Sequence, residues 1–380
     1  MVEEPTKEGY MNKKYKLRNF DFMLVIMAWA LSAVGVVAVS SSNNTLTSKQ
    51  ILGIVIGTIV MFFIAFVDYV KVIKYNYVFY SITILMLAAV KIMGRSSHGA
   101  TRWLRIGGFM FQPSEFSKIL LILFFSKLMF DNRKKAKTIK YVITCILYFV
   151  PPLLLVLVEP DLSTSILICL VFVALLYESG ISSKLVTMTL LVAIPVLAVG
   201  FYLVIMPNSP IVKKYQQERV LAWLHPEDYA STTAYQTMNS IMAIGSGQLE
   251  GKGYNTNEIS SVLNGGFISE SDTDFIFTVI GEEFGFIGGI VVVSLILIIS
   301  LRCLMIAGKA KDLSGRLIAT GVGAWIGFQG FMNIAVATGA MPNTGLPLPL
   351  VSSGLTSIVS VYIGIGFVLN VGLQQTRRYS

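Results

Sequence analysis

The sequence predicts an all-α polytopic membrane protein of ten transmembrane helices, with a large extracytoplasmic loop between helices 7 and 8. Three observations predict it. Of 380 residues, 54% are hydrophobic and only 13% charged, with a mean hydropathy of +0.70, too little charge to cover a soluble fold of that size. The apolar residues fall in blocks about 17 to 25 long, the length of a bilayer-spanning helix. Backbone in lipid must satisfy its own hydrogen bonds, so the blocks read as helices. Finally, the chain leaves these blocks for a long polar stretch only once, from Pro207 to Asp274.

In order, residues 1–19 form a basic tail with Lys7, Lys13, Lys14, Lys16 and Arg18. The block at 20–40 imitates a signal peptide, with Ala38-Val39-Ser40 as a cleavage-like site. It is too long for a signal's apolar core and further spans follow, so it reads as an uncleaved first helix. Spans at 49–67 and 75–93 come next, then a loop at 94–112 and a span at 113–130. The basic run Arg133-Lys134-Lys135-Ala136-Lys137 precedes spans at 140–158, 162–178 and 185–206, which complete seven helices within 20–206. The long loop occupies 207–274. Spans at 275–300, 316–338 and 352–373 fill 275–373, and residues 374–380 are the second tail.

Ten spans put both termini on one side. That side carries 19 of the 30 Lys and Arg residues, against 8 on the other and 3 within spans, so the positive-inside rule places both termini in the cytoplasm. The net charge of +9 is thus a topology signal and points away from nucleic acid as a partner. The long loop is net acidic, with eight acids against four bases. Cys145, Cys169 and Cys303 lie inside apolar runs and read as small buried hydrophobes. His98 and His225 fall in different loops, which gives a histidine metal site no support. No internal repeat is visible, against a transporter built from inverted halves.

Four stretches converge on the outer face. In the first, Arg102 and Arg105 precede Gln112-Pro113-Ser114-Glu115, with Lys118 after. Pro113 suits the first turn of a helix, and Glu115 and Lys118 are three apart on one face. They read either as an ion pair joining two helices or as the lining of a polar cavity, with the arginines offering forked donors to a phosphate. The second is Glu159-Pro160-Asp161, a tight turn that either caps the sixth helix or joins a site. The third lies in the long loop. Residues 215–226 look like a short amphipathic helix containing Arg219 and ended by proline. Gly245, Gly247, Gly251 and Gly253 surround Lys252, where backbone amides could cradle a diphosphate.

The loop ends in Asp272-Thr273-Asp274, directly before the eighth span. Carboxylates at the mouth of an apolar helix are costly to hold, which marks them as functional. Three readings stand: a helix N-cap, a site for a divalent metal (Mg or Mn) on Asp272 and Asp274, and a general base. The fourth stretch, Met341 to Gly354, is a proline-rich re-entrant turn, tolerated at depth only against protein or a cavity.

As a set, these stretches resemble the SEDS family, the RodA, FtsW and SpoVE type of cell-wall polymerase, over nearly the whole chain. Gly99-Ala100-Thr101-Arg102-Trp103 with Gln112-Pro113-Ser114-Glu115 and Lys118 looks like its first motif. Glu159-Pro160-Asp161-Leu162-Ser163-Thr164 is similar to its Gln-Pro-Asp-Leu-Gly-Thr. Ala243 to Gly247 with Gly251-Lys252-Gly253 matches a loop motif. Thr273-Asp274-Phe275-Ile276-Phe277 with Gly281-Glu282-Glu283-Phe284-Gly285 is the most specific match.

The resemblance implies a peptidoglycan glycosyltransferase of the bacterial cytoplasmic membrane that polymerises lipid II, releases undecaprenyl diphosphate and works with a class B penicillin-binding protein. It puts the essential aspartate on Asp274 and the important intramembrane pair on Glu115 and Lys118. Arg102, Lys118, Arg219 and Lys252 are the candidate cations for the leaving diphosphate, with Thr273 in support. Two positions depart from the family pattern: Asp272 stands where His is usual, and Ser352-Ser353-Gly354-Leu355-Thr356 replaces Ser-Tyr-Gly-Gly-Ser. The rival readings are a lipid II flippase and a non-catalytic scaffold for a transpeptidase. The outer loop ending in Asp274 favours the enzyme, since a flippase has no need of it.

Overall fold

The computed structural model describes residues 15, 17–97, 100–106, 109–159, 161–182, 184–185, 187, 191, 202, 204–206, 214–255, 261–262, 265–343 and 345–375. The expected seventh span at 185–206 lies almost wholly outside the described residues, as do most of the first tail, Pro160 and residues 376–380. Among the described residues, the first six spans are α1 (Phe22–Ser42), α2 (Asn44–Phe66), α3 (Asn76–Met93), α4 (Pro113–Asp131), α5 (Ile139–Val158) and α6 (Leu162–Glu178). Within the polar stretch lie α7 (Lys214–Leu224) and α8 (Tyr235–Ser246), and the last spans are α9 (Ile276–Gly308), α10 (Leu313–Ala337) and α11 (Leu355–Leu373).

Seven helices are long and apolar enough to cross a membrane by length and composition alone. The chain is a multi-pass membrane protein. The exceptions have plain causes. α4 carries Glu115, Lys118, Lys127 and Asp131, and α6 has only 17 residues.

Local chemistry sets the helix starts. The side chain of Asp21 accepts from the Leu24 amide at 2.9 Å, and Asp312 accepts from the Gly315 amide at 2.8 Å, each satisfying a first-turn N–H without an intrahelical partner. Pro113 occupies the first turn of α4, as its sequence suggests. Asn43 alone separates α1 from α2, closing one through its backbone N–H and capping the next through its side chain. Both helices therefore reach further into the 41–48 link than hydropathy indicates, because polar Ser and Thr residues extend a helix outside the apolar core.

α11 is almost wholly buried and forms the centre with α10 and α4. α2 lies along it. In an apolar medium small residues and polar side chains hold helices together. Ser32 of α1 meets the Tyr362 hydroxyl at 2.8 Å, and the Asn370 amide donates to the Ala65 carbonyl at 2.7 Å.

The loop at 94–112 contains a three-stranded antiparallel sheet, β1 (Arg95–Ser97), β2 (Ala100–Ile106) and β3 (Phe109–Phe111), in the order β1-β2-β3. Arg95 pairs with Trp103, and Leu104 with Phe111. This small sheet is an addition to the all-α expectation. Span-length hydropathy averages over strands this short and does not register them.

α9 is broken near its start. Gly285 sits at φ 60°, ψ −158° inside the helix, a conformation open to glycine and closed to most other residues. The glycine-rich loop repairs the interrupted ladder. The amides of Lys252 and Gly253 donate to the carbonyls of Glu282 and Glu283 at 2.9 and 3.0 Å, while Phe286 donates to Gln248 at 2.8 Å and Ile287 to Leu249 at 3.2 Å. This corrects the diphosphate-cradle reading, because two of the amides in that loop are spent on α9. A Cβ at Gly251, where φ is +83°, would lie 2.1 Å from the Glu283 carbonyl. We predict that Gly251→Ala undocks the loop at a cost of roughly 2–5 kcal/mol, from left-handed strain plus overpacking. An unchanged melting temperature in detergent would refute that.

Candidate active site

The backbone of the acidic triplet is pinned at three consecutive carbonyls by two other elements. The Asp272 carbonyl accepts from the Ser353 amide at 2.8 Å. The Thr273 carbonyl accepts from the Ser352 hydroxyl at 2.5 Å, and the Asp274 carbonyl from the Asn333 side-chain amide at 2.7 Å. The Asp272 carboxylate accepts from Asn43 at 3.3 Å, and the Thr273 hydroxyl donates to Glu270 at 2.9 Å. Asp274 itself is half-buried. The capping reading of the triplet does not hold. The N-cap of α9 is Phe275, with no side-chain cap hydrogen bond, because the turn from Glu270 to Phe275 already closes through the Phe275 amide and the Glu270 carbonyl at 3.1 Å.

α10 supplies the bracket. Trp325, Gln329 and Asn333 recur every four residues and so share one face. The Asn333 amide also donates to the Leu346 carbonyl at 2.7 Å, and the Gln329 amide to the Pro347 carbonyl at 2.8 Å. Between them they hold the re-entrant segment, whose prolines cannot make a helix of their own. The Gln329 side-chain oxygen accepts from the Trp325 indole at 2.6 Å and from the Lys118 ammonium at 2.9 Å. Lys118 in turn pairs with Glu115 at 2.6 Å, both side chains 1% exposed, and its ammonium lies 5.1 Å from the Trp325 ring. The pair thus joins α4 to α10 through Gln329, in line with the ion-pair reading of its spacing. One Glu115 oxygen, Oε2, is buried without a hydrogen-bond partner.

Below Lys118, a small apolar cleft opens between α4, α5 and α6, lined by Leu121, Phe125, Phe149 and Phe172. Asp161 accepts from the Thr164 amide at 3.1 Å and caps α6, as the turn before that helix suggests. It also lies within electrostatic reach of Lys118.

The other candidate cations are placed differently. Lys252 forms an ion pair with Glu282 at 2.9 Å, 9% and 0% exposed, and the same Glu282 oxygen takes the Val262 amide at 2.9 Å. This corrects the reading of Lys252 as a counter-charge for diphosphate, because burial commits its ammonium to a carboxylate. Arg219 lines a separate small cavity with Trp223, Thr237, Gly339 and Asn343. Arg102 lies in β2, and its side chain is outside the described residues. Among the described residues, no three His, Cys, Asp or Glu side chains come together as a metal cage.

Sequence reasoning missed Gln329, Asn333, Ser352 and Ser353. The first two carried a signal, an amide every four residues in an otherwise apolar helix. We predict that Asn333→Asp, which keeps the shape and removes the donor, leaves two buried carbonyls unpaired at about 1–3 kcal/mol each. Glycan synthesis should fall together with the melting temperature. Wild-type activity in this variant would show that Asp274 does not depend on the bracket.

Fold and site together define a polytopic helical membrane protein whose polar centre is assembled at one end of the bundle by a re-entrant segment and a long loop. The chain belongs to the FtsW, RodA and SpoVE family of cell cycle proteins, whose family model matches residues 14–377. The peptidoglycan glycosyltransferase MrdB of Escherichia coli K12 is 32% identical over 373 residues, covering 98% of this chain and 97% of that protein. The probable peptidoglycan glycosyltransferase FtsW of Geobacter sulfurreducens is 30% identical over 373 residues, covering 94% and 96% respectively. Among solved structures, RodA of Thermus thermophilus matches with a TM-score of 0.69 at 26% identity, over 94% of this chain and 98% of that one. A chain from a peptidoglycan synthase complex that coordinates polymerization and crosslinking matches with a TM-score of 0.77 at 29% identity, over 93% and 97%.

Proposed function

We propose that this chain is a peptidoglycan glycosyltransferase that polymerises lipid II at the outer face of the bacterial cytoplasmic membrane, with Asp274 as the general base. The observation that carries this reading is the pinning of three successive carbonyls at Asp272, Thr273 and Asp274. A carboxylate held this way by its backbone is pre-organised for proton transfer. Asp274 would take the proton from the GlcNAc 4-hydroxyl of the acceptor as that oxygen attacks the anomeric carbon of the donor MurNAc. The new C–O bond forms with inversion, the bond to the diphosphate breaks, and undecaprenyl diphosphate carries the electron pair away. Lys118 has three N–H donors, of which Glu115 and Gln329 occupy two, leaving one for substrate.

A divalent cation fits Asp272 and Asp274 only if substrate phosphate completes the donor set, the manner in which Mg is commonly held. There it would offset charge on the leaving diphosphate. We predict that Asp272→His weakens the dependence of activity on Mg while preserving turnover. An unaltered Mg titration would remove Asp272 from the site.

The proposed partner is a class B penicillin-binding protein, supported by the likeness to the synthase-complex chain. Cytoplasmic termini are supported by the distribution of Lys and Arg. The deciding experiment supplies purified lipid II to the purified protein, with and without that partner. Glycan strands are expected. Lipid II translocation in vesicles without any polymer would establish the flippase instead, and activity of neither kind would leave a scaffold.

A further inference from the structure

The end of the bundle opposite Asp274 holds a polar cavity open to one side, lined by Arg18, Asp21, Phe22, Arg302, Met305 and Lys309 among others. α9 separates the two ends, starting beside Asp274 and running 33 residues, and its part beyond the break at Gly285 alone spans on the order of 35 Å at 1.5 Å per residue. The cavity therefore has no part in the site already described.

Its chemistry is specific. Three cations face one carboxylate. Asp21 is joined to Arg302 at 3.2 Å, while Arg302 Nε remains buried with no hydrogen-bond partner. The side chains of Arg18 and Lys309 are exposed and make no ion pair among the described residues. Beside these charges stand outward-facing apolar groups, with Phe22 65% and Met305 48% exposed at the ends of two spanning helices. An excess of positive charge next to exposed apolar surface, at the rim of a membrane-spanning bundle, complements an anionic amphiphile. The chain's own first tail, residues 1–19, does not supply an anionic occupant, since Lys7, Lys13, Lys14, Lys16 and Arg18 outnumber Glu3, Glu4 and Glu8.

We propose that this cavity binds the phosphate headgroup of an anionic glycerophospholipid in the leaflet opposite the Asp274 end. Arg18, Lys309 and the exposed part of the Arg302 guanidinium meet the phosphate, and Phe22 and Met305 lie against the first carbons of the acyl chains. Asp21 holds Arg302 in place at the expense of some of the site's positive charge.

The test is native mass spectrometry of the full-length protein in detergent, titrated with phosphatidylglycerol, phosphatidylcholine or water-soluble glycerol phosphate. Saturable binding of phosphatidylglycerol alone is expected. Each basic residue near an anionic headgroup contributes about a fivefold factor, so Arg18→Gln with Lys309→Gln should weaken binding about thirtyfold. Asp21→Asn keeps a capping side chain and removes the only carboxylate among the lining residues, so it should bind several-fold tighter, which a purely structural role would not produce. Equal binding of both lipids, or a double variant that binds like wild type, would overturn the proposal. Competition by glycerol phosphate at matching concentration would reassign the cavity to a soluble phosphate.

Discussion

Asp274→Asn is expected to give a folded protein whose glycan synthesis falls by about 10² to 10⁴, the usual contribution of a general base. The structure makes this substitution unusually clean. Asp274 does not cap α9, whose N-cap is Phe275. The atom that anchors Asp274 to α10 is its carbonyl, bonded to Asn333 at 2.7 Å, and asparagine keeps that carbonyl. The N-cap of α9 and the bond to α10 are thus kept, and the change falls on the carboxylate. Lipid II binding, melting temperature and polymer yield should be measured on one preparation, with only the last collapsing. Polymer near the wild-type level would defeat the assignment of Asp274 and most of the case against a flippase.

Lys118→Met is expected to be the most destabilising single change at the centre of the bundle. Among the described residues, Lys118 supplies the only hydrogen bond that the Glu115 carboxylate receives, at Oε1, and the other oxygen is buried without one. Removing the ammonium leaves a buried carboxylate uncompensated, typically at about 3–5 kcal/mol. It also strips a donor from Gln329, which links α4 to the re-entrant segment through the Pro347 carbonyl. Exchanging the two residues, Glu115→Lys with Lys118→Glu, should restore only part of the loss. The ion pair re-forms, but position 118 then sets a carboxylate against the Gln329 oxygen that had accepted from Lys118 and still faces the Trp325 indole. Melting temperatures of the singles and the exchange variant in detergent give the coupling. Single variants that melt with the wild type would make the pair peripheral.

The sequence by itself determined the spanning helices, because transfer into lipid is a property of local composition and needs no knowledge of neighbours. It also determined Pro113 in the first turn of α4 and Asp161 as the cap of α6, since a cap acts within one turn. The three-residue spacing of Glu115 and Lys118 sufficed to pair them. The tertiary structure alone decided what the other polar groups serve. Gln329, Asn333, Ser352 and Ser353 are ordinary residues in an apolar run and a loop, and their importance lies in carbonyls as far as 81 residues away in sequence, such as Ser353 on Asp272. Gly251 and Lys252 had the composition of a phosphate cradle, yet their surroundings made them the repair of a helix broken at Gly285. A hydrogen-bond donor looks the same in sequence whatever accepts from it. Buried in lipid it must find a partner within the protein, and only the packing of distant segments settles which one.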